Sequence, residues 1–513
     1  MTRFYITTAI DYANGDPHFG HALEKIGADA IARWHRLRGE SVHLCIGMDE
    51  HGQKVAQTAA AQQVEPQAFV DGVAQVFRDT WARLGVGYDQ FVRTTDAAHK
   101  AGVVALIRRI RERRPDDFFQ RTYEGWYCVG CELFKRENEI VDGHCVLHPT
   151  RELQWTKETN WFFRLSAYQG FIERLLADHP QFLEPESRRN EILALLSQGL
   201  EDLSITRSRL SWAIPFPYDT DDGVPQGTWV WFDALPNYLT ATGYPEGDWA
   251  TRWPAQVHVV GKDITRLHAV VWPAMLEAAG LPLPERVWAH GFISFGGERF
   301  SKSAGVKIAL GEAIERFGAD AFRYFLLREV PFDGDGSFSW ERFDERYTAD
   351  LANGLGNLAS RVTAMVEKYR DGLVPAAAPV AGDHDDLADL READLAMEGR
   401  RGFLPHEALA CIWRTVTRAN EYVQTTAPFK LAKVPEQAGE LDTVLASLVR
   451  RLARQAVVLS PFMPQKAQEL WDALGGPGDV QAQRLEHLDA LDAGGWHVRK
   501  AALFPRPASA TDG

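Results

Sequence analysis

The chain has 513 residues, enough for about three domains that each bury a core of their own. Its composition, 45% apolar, 25% charged and 11% aromatic, is ordinary globular usage and excludes a disordered, collagen-like or disulfide-framework protein. Acidic residues outnumber basic ones 70 to 56, a net charge of −14, which argues against indiscriminate coating of nucleic acid yet allows a local basic face.

Phe4 to Ile10 is rich in β-formers and Asn14-Gly15 marks a turn. Asp16 followed by Pro17 predicts an N-cap and the first position of a helix, whose apolar face is Ile26, Ala30, Ile31 and Trp34. A second strand, Val42 to Ile46, leads through Gly47 into Met48-Asp49-Glu50-His51-Gly52 and a further helix. Such alternation predicts an α/β fold, a doubly wound parallel sheet with its site at the C-terminal ends of the strands. A helix through Ile107 to Arg111 is stopped by Pro115.

From about 116 to 225 turns, Cys and His break this pattern, followed by helical stretches from Tyr168 to Leu200. The segment reads as an insertion splitting the sheet domain. Regular α/β patterning resumes with Thr228-Trp229-Val230-Trp231-Phe232 and Val257 to Gly261. Beyond about 345 the chain reads as helical, with Leu409, Ile412, Trp413, Val416 and Val423, and again Leu445, Leu448, Val449, Leu452 and Val457, at helical spacing. Val374 to Asp386, rich in Pro, Ala, Gly and Asp, reads as a solvated connection. The expected organisation is therefore 1–115 and 226–345 as halves of a catalytic domain, 116–225 as the insertion, and 346–513 as an α-helical domain. The N-terminus lacks the pattern of a signal peptide and no run of 18 apolar residues occurs, so the cytoplasm is the expected location.

Three motifs carry chemistry. Cys128-x2-Cys131-x13-Cys145-x2-His148 offers two chelating pairs, three thiolates and an imidazole, for one tetrahedral ion. A complete ligand set leaves no open position, so a structural role is expected. His144 competes as fourth ligand, and unliganded burial is the alternative; Cys45 and Cys411 lie in apolar contexts and read as core. Pro17-His18-Phe19-Gly20-His21 sits at a loop-to-helix junction, where free N–H groups and the helix dipole attract phosphate. His18 and His21 share a face and add donors, and Gly20 leaves room for a nucleotide against the backbone. By itself this pair is a weak signal. Gly296 to Gly305 frames Arg299-Phe300-Ser301-Lys302-Ser303, a glycine-flanked basic loop able to close over phosphates, or a surface turn. Gly52-Gln53-Lys54 is only a near miss to a phosphate-binding P-loop.

His18-Phe19-Gly20-His21 resembles the HIGH signature of class I aminoacyl-tRNA synthetases, and Arg299-Phe300-Ser301-Lys302-Ser303 their KMSKS signature. Phe4 to Thr8, Asp49 to Gly52, the Cys/His knuckle, Trp229 to Ala234, Gly261 to Ile264 and Asn357-Leu358-Ala359-Ser360-Arg361 extend the likeness, in order, to the methionyl-tRNA synthetase family over nearly the whole chain.

The resemblance implies a Rossmann-like catalytic domain with an inserted zinc knuckle and a C-terminal helical bundle that reads the anticodon. It implies a ligase acting on ATP, L-methionine and tRNA(Met), with Mg²⁺ accompanying ATP and one structural Zn²⁺ on Cys128, Cys131, Cys145 and His148. Catalysis would rest on His18, His21 and Lys302, and ATP binding on these with Gly20, Arg299, Ser301 and Ser303. The methionine pocket would comprise Ile10, Asp49, Trp231, Tyr238, Asp263 and His268, with Asp49 on the substrate ammonium. Asn357, Arg361 and Phe429 would meet the anticodon. A monomer is expected, since no C-terminal module of the dimerising kind follows the helical domain.

The chain departs from the family's pattern at Ala9 and Asp11, where proline or tyrosine is usual. It does so again at Arg299, in place of the first lysine of the loop signature, and at Phe429, in place of tryptophan. Two rivals make different demands. A tRNA-independent nucleotidyltransferase has no need of the helical domain, and a non-catalytic RNA-binding paralogue would have lost His18, His21 or Lys302.

Overall fold

The computed structural model describes residues 2–129, 131, 133–135, 137–208, 210–295, 298–299 and 310–505. Its centre is a seven-stranded sheet in which every pairing is parallel. Arg3–Thr8 lies between Ser41–Asp49 and Val257–Gly261. Gln90–Arg93 and the short Asp11–Tyr12 strand also pair with Ser41–Asp49, and Val287–His290 lies outside Val257–Gly261. Alternate residues feed two cores: Phe4, Ile6, Leu44, Ile46 and Val257 pack on one side, Tyr5, Cys45, Val92 and Val260 on the other. Burial on both faces explains the near-continuous apolar strands.

The chain builds outward from Arg3–Thr8 in one direction, then returns to build the other half from Val257–Gly261. The strand order therefore reverses between these two neighbours, which is where a doubly wound sheet opens a crevice at its C-terminal edge. The insertion rises beside that edge as a long ribbon, Phe118–Cys128 paired antiparallel with Gln154–Phe163 in an unbroken register from Phe118↔Phe163 to Tyr127↔Gln154. It also returns to the sheet, since Leu183–Glu184 pairs in parallel with Val287–Trp288 as an edge strand. No sequence pattern marked this two-residue strand.

Three local expectations are corrected. The first long helix is Phe19–Leu37 and its N-cap is His18, not Asp16. A cap needs an acceptor within reach of the first free N–H groups, and the His18 ring supplies it while Asp16 stands two residues too early. The run Thr228 to Phe232, where regular α/β patterning was expected to resume, divides: Gly227–Thr228 is a strand, Trp229 is extended, and Val230–Ala234 is a helix. Nor is Val374 to Asp386 wholly solvated. The helix Ala381–Met397 begins inside it, and Asp383 and Asp386 are buried against Arg450 and Arg451 at 2.9 and 3.1 Å. The cations that draw these aspartates inward lie some 65 residues further along the chain, out of view of local composition.

The C-terminal part is helical as expected. Trp340–Arg346, the π-helical Tyr347–Gly356 and Asn357–Arg370 follow one another without a break, and Pro405–Thr426 and Ala438–Leu459 carry the two apolar patterns. Among the described residues no helix is long and apolar enough to cross a membrane.

Candidate active site

The N-terminus of the Phe19–Leu37 helix is closed by a reciprocal pair of histidines. His18 Nδ1 accepts from the backbone N–H of Gly20 (3.1 Å) and His21 (3.4 Å), and His21 Nδ1 accepts from the His18 N–H (3.2 Å). The two rings stack with centroids 3.7 Å apart. An Nδ1 that accepts carries no hydrogen, so each neutral ring holds its proton on Nε2 and offers that N–H as a donor. The same geometry accounts for Gly20. A Cβ there would lie 3.0 Å from His18 Cε1, so glycine lets the capping ring fold back, a reason local to the helix end and distinct from room for a nucleotide.

At the reversal of strand order is a cavity of about 530 Å³, lined by Ala9 and Ile10 beyond the Arg3–Thr8 strand and by Asp263 and Ile264 beyond Val257–Gly261. Ile10, Asp49, Trp231, Tyr238, Asp263 and His268, far apart in sequence, all line it. Asp49 ends the Ser41–Asp49 strand and is buried, whereas Asp263 is exposed. Tyr238 and His268 are held as a unit. His268 Nδ1–H donates to the Ile264 carbonyl (2.9 Å), which obliges Nε2 to accept from the Tyr238 hydroxyl (2.7 Å). Burial pushes His268 down to about 4, so the ring is neutral at physiological pH. His268 lies in a π-helical turn, Leu267–Val271, a widening common at functional sites.

Behind the cavity, buried Asp233 receives His51 Nδ1 at 2.6 Å and His99 Nε2 at 2.9 Å. Burial alone would raise the Asp233 pKa, but the two imidazoles outweigh it and hold the carboxylate below its usual range. This contact joins the Asp49-Glu50-His51-Gly52 and Trp229 to Ala234 motifs, and so fixes Asp49 relative to Trp231.

The far wall of the cavity comes from the insertion and includes Cys131 and His148. The donor atoms of Cys128, Cys131, Cys145 and His148 all lie within 4.8 Å of one another, with Cys131 Sγ 3.5 Å from Cys145 Sγ and 3.3 Å from His148 Nδ1. A tetrahedral ion with thiolate and imidazole ligands has edges of roughly 3.5–3.8 Å, so the cluster fits a metal ion of the zinc kind. His144 is not the fourth donor: its Nδ1 is bonded to the Asp142 carbonyl at 2.9 Å.

A family model described as "tRNA synthetases class I (M)" matches residues 4–152 and 136–363. The methionine–tRNA ligase of Caldanaerobacter subterraneus subsp. tengcongensis is 41% identical over 508 residues, spanning 98% of this chain and 78% of that protein. The chain belongs to the methionyl-tRNA synthetase family. The methionine–tRNA ligase of Streptomyces coelicolor is likewise 41% identical, over 98% of this chain and 96% of its own. Mycobacterium tuberculosis methionyl-tRNA synthetase in complex with methionyl-adenylate superposes with a TM-score of 0.91 at 39% identity, covering 99% of this chain and all of that one. The apo form of that synthetase gives 0.86 at 36% identity.

Of the loop signature, Ser301, Lys302 and Ser303 lie outside the described residues, and Arg299 is described only as backbone, in a short strand paired with Ile293–Phe295. Asn357 and Arg361 sit one turn apart at the start of their helix, directly after the π-helical Tyr347–Gly356, and both are partly exposed. Phe429 does not pack in the helical core; it is 44% exposed on the short helix Pro428–Leu431.

Sequence reasoning missed the groups that support this cavity from behind. Chief among them is Lys25, fully buried, which donates to the Ala9 carbonyl, Asp11 Oδ1 and Glu24 Oε1. Its spacing of four from His21 was the available signal. His51, His99 and Asp233 form a second such group, invisible locally because each partner lies in a different motif.

Proposed function

We propose that this chain is a methionine–tRNA ligase, activating L-methionine with ATP to methionyl-adenylate and transferring the methionyl group to the 3′ end of tRNA(Met). One observation carries the reading: six residues matched to the family's methionine pocket converge on a single cavity at the switch point of the sheet. A methionine carboxylate oxygen attacks the α-phosphorus of ATP, and the bond to the bridging oxygen breaks as pyrophosphate leaves. The ribose hydroxyl of the terminal tRNA nucleotide then attacks the methionyl carbonyl and AMP departs. Neither step needs a protein nucleophile, so the chain's task is alignment and stabilisation of charge.

His18 and His21 direct their Nε2–H donors at the triphosphate, with Gly20 permitting the cap. Lys302, with Arg299, Ser301 and Ser303, serves the departing pyrophosphate. Asp49 takes the ammonium and exposed Asp263 holds polar groups at the pocket mouth. Ile10, Trp231, Tyr238 and His268 surround the thioether; with the imidazole neutral and the phenol buried, that part of the pocket is uncharged, as a soft sulfur favours. Asn357, Arg361 and Phe429 read the anticodon by hydrogen bonds and stacking.

Cys128, Cys131, Cys145 and His148 would hold Zn²⁺, which cross-links the insertion and has no open position for chemistry. Mg²⁺ would come with ATP as counter-ion to its phosphates. Methionine-dependent ATP–pyrophosphate exchange, followed by charging of tRNA(Met), tests the reading. Exchange that does not depend on methionine, or exchange without charging, overturns it. Lys302→Ala should slow exchange by on the order of a hundredfold with methionine binding unchanged.

A further inference from the structure

Lys25 lies on the same face of the Phe19–Leu37 helix as His18 and His21, at intervals of seven and four residues. An ammonium has three hydrogens to donate, and here each has its own oxygen: the Ala9 carbonyl at 2.8 Å, Asp11 Oδ1 at 2.9 Å and Glu24 Oε1 at 2.7 Å. The side chain has no exposed surface. Two of the three oxygens belong to Ala9 and Asp11, which flank Ile10, and Ala9 and Ile10 both line the cavity. From behind, Ile10 is seated against Gly47, where a Cβ would come within 3.0 Å of Ile10 Cγ2. Ile10 is thus clamped by Lys25 on both sides and by the Gly47 backbone beneath.

The clamp has an electrostatic cost. Asp11 Oδ2 is buried with no hydrogen-bond partner among the described residues, and burial raises Asp11 to about 7 against the pull of Lys25. Glu24 is better served, holding Lys25 on one oxygen and His290 Nε2 on the other at 3.1 Å. His290 ends the Val287–His290 strand, so the network also ties the histidine helix to the second half of the catalytic domain. A buried ion pair with an orphaned oxygen is a poor way to gain stability compared with apolar packing. Its geometry instead serves to hold one short segment in place.

We propose that Lys25 is a positioning residue for amino-acid specificity: by holding the Ala9 carbonyl and the Asp11 carboxylate it sets where the Ile10 wall stands, and so which side chains the cavity accepts. This rests on the reading of the cavity as the methionine pocket, and wild-type exchange with methionine tests that reading separately and first. Given that activity, Lys25→Met should raise the methionine KM on the order of tenfold while kcat and the ATP KM move less than threefold, because the wall touches the amino acid alone. Discrimination against leucine and ethionine, measured as kcat/KM ratios in the same assay, should fall in parallel.

The double variant Asp11→Asn/Lys25→Met removes the buried acid that the single variant leaves without its ammonium partner. If Lys25 serves only to neutralise Asp11, the double variant regains the wild-type methionine KM and selectivity, and the proposal is overturned. If it positions Ile10, the double variant regains stability but keeps the raised KM. Should both fail to fold, Lys25→Arg decides: it keeps the charge but cannot place three donors on the same three oxygens. A wild-type KM and selectivity from it overturn the proposal, and a raised KM supports it.

Discussion

The histidine pair at the start of the Phe19–Leu37 helix has two separable duties, and substitutions at His18 can divide them. His18→Asn keeps a short acceptor able to reach the N–H groups of Gly20 and His21, now 3.1 and 3.4 Å from Nδ1, but abolishes the Nε2–H. His18→Ala removes both. The cap is worth about 1 kcal/mol of stability. A preorganised donor aimed at phosphate charge that develops in the transition state is worth roughly 3–4 kcal/mol, or on the order of 10²–10³ in rate. The second effect is the larger, so both variants should lose about the same activity in methionine-dependent ATP–pyrophosphate exchange. Only His18→Ala should show the additional loss of stability, read as an earlier urea midpoint. Exchange within threefold of wild type for His18→Asn would refute the assignment of Nε2–H to phosphate. Equal midpoints for the two variants would refute the capping argument.

Three further outcomes are expected. Cys131→Ala, or prolonged chelation of the wild-type chain, should lower bound zinc measured by atomic absorption and increase amide exchange in the Phe118–Cys128 and Gln154–Phe163 ribbon, while the parallel sheet stays protected. Arg361→Ala should weaken tRNA charging by roughly 1–3 kcal/mol per lost base contact and leave ATP–pyrophosphate exchange unchanged, since adenylate chemistry sits in the sheet domain; equal loss in both assays would indicate damage to folding instead. Because His268 titrates near 4 when folded and near 6.5 when unfolded, the unfolded chain binds the extra proton between these values and stability falls as pH drops through that window. At pH 5 the contribution is about 2 kcal/mol, so His268→Gln should flatten the fall in unfolding free energy between pH 7 and 5, measured by urea titration, by that amount.

The sequence by itself determined the elements whose causes are local. Apolar runs at strand length, helical spacing in the C-terminal part and the paired Cys/His turns each depend on residues a few positions apart. They made the doubly wound sheet, the helical bundle and the four-donor cluster legible before any coordinates. The ordered set of motifs pointed to the family.

What the tertiary structure decided is every case in which a distant partner outweighs a local preference. His18 displaced Asp16 as N-cap because the His21 ring answers it in a reciprocal pair. Trp229 to Phe232 bends into a helix as Asp233, at its end, is drawn to His51 and His99. Asp383 and Asp386 are buried because arginines from Ala438–Leu459 reach them. Lys25, an unremarked polar residue in a helical pattern, is buried behind the cavity because the Ala9–Asp11 segment brings two oxygens to its ammonium. A charge enters a protein interior only when its counter-charges are already placed there, and that placement belongs to the fold as a whole and not to any window of the chain.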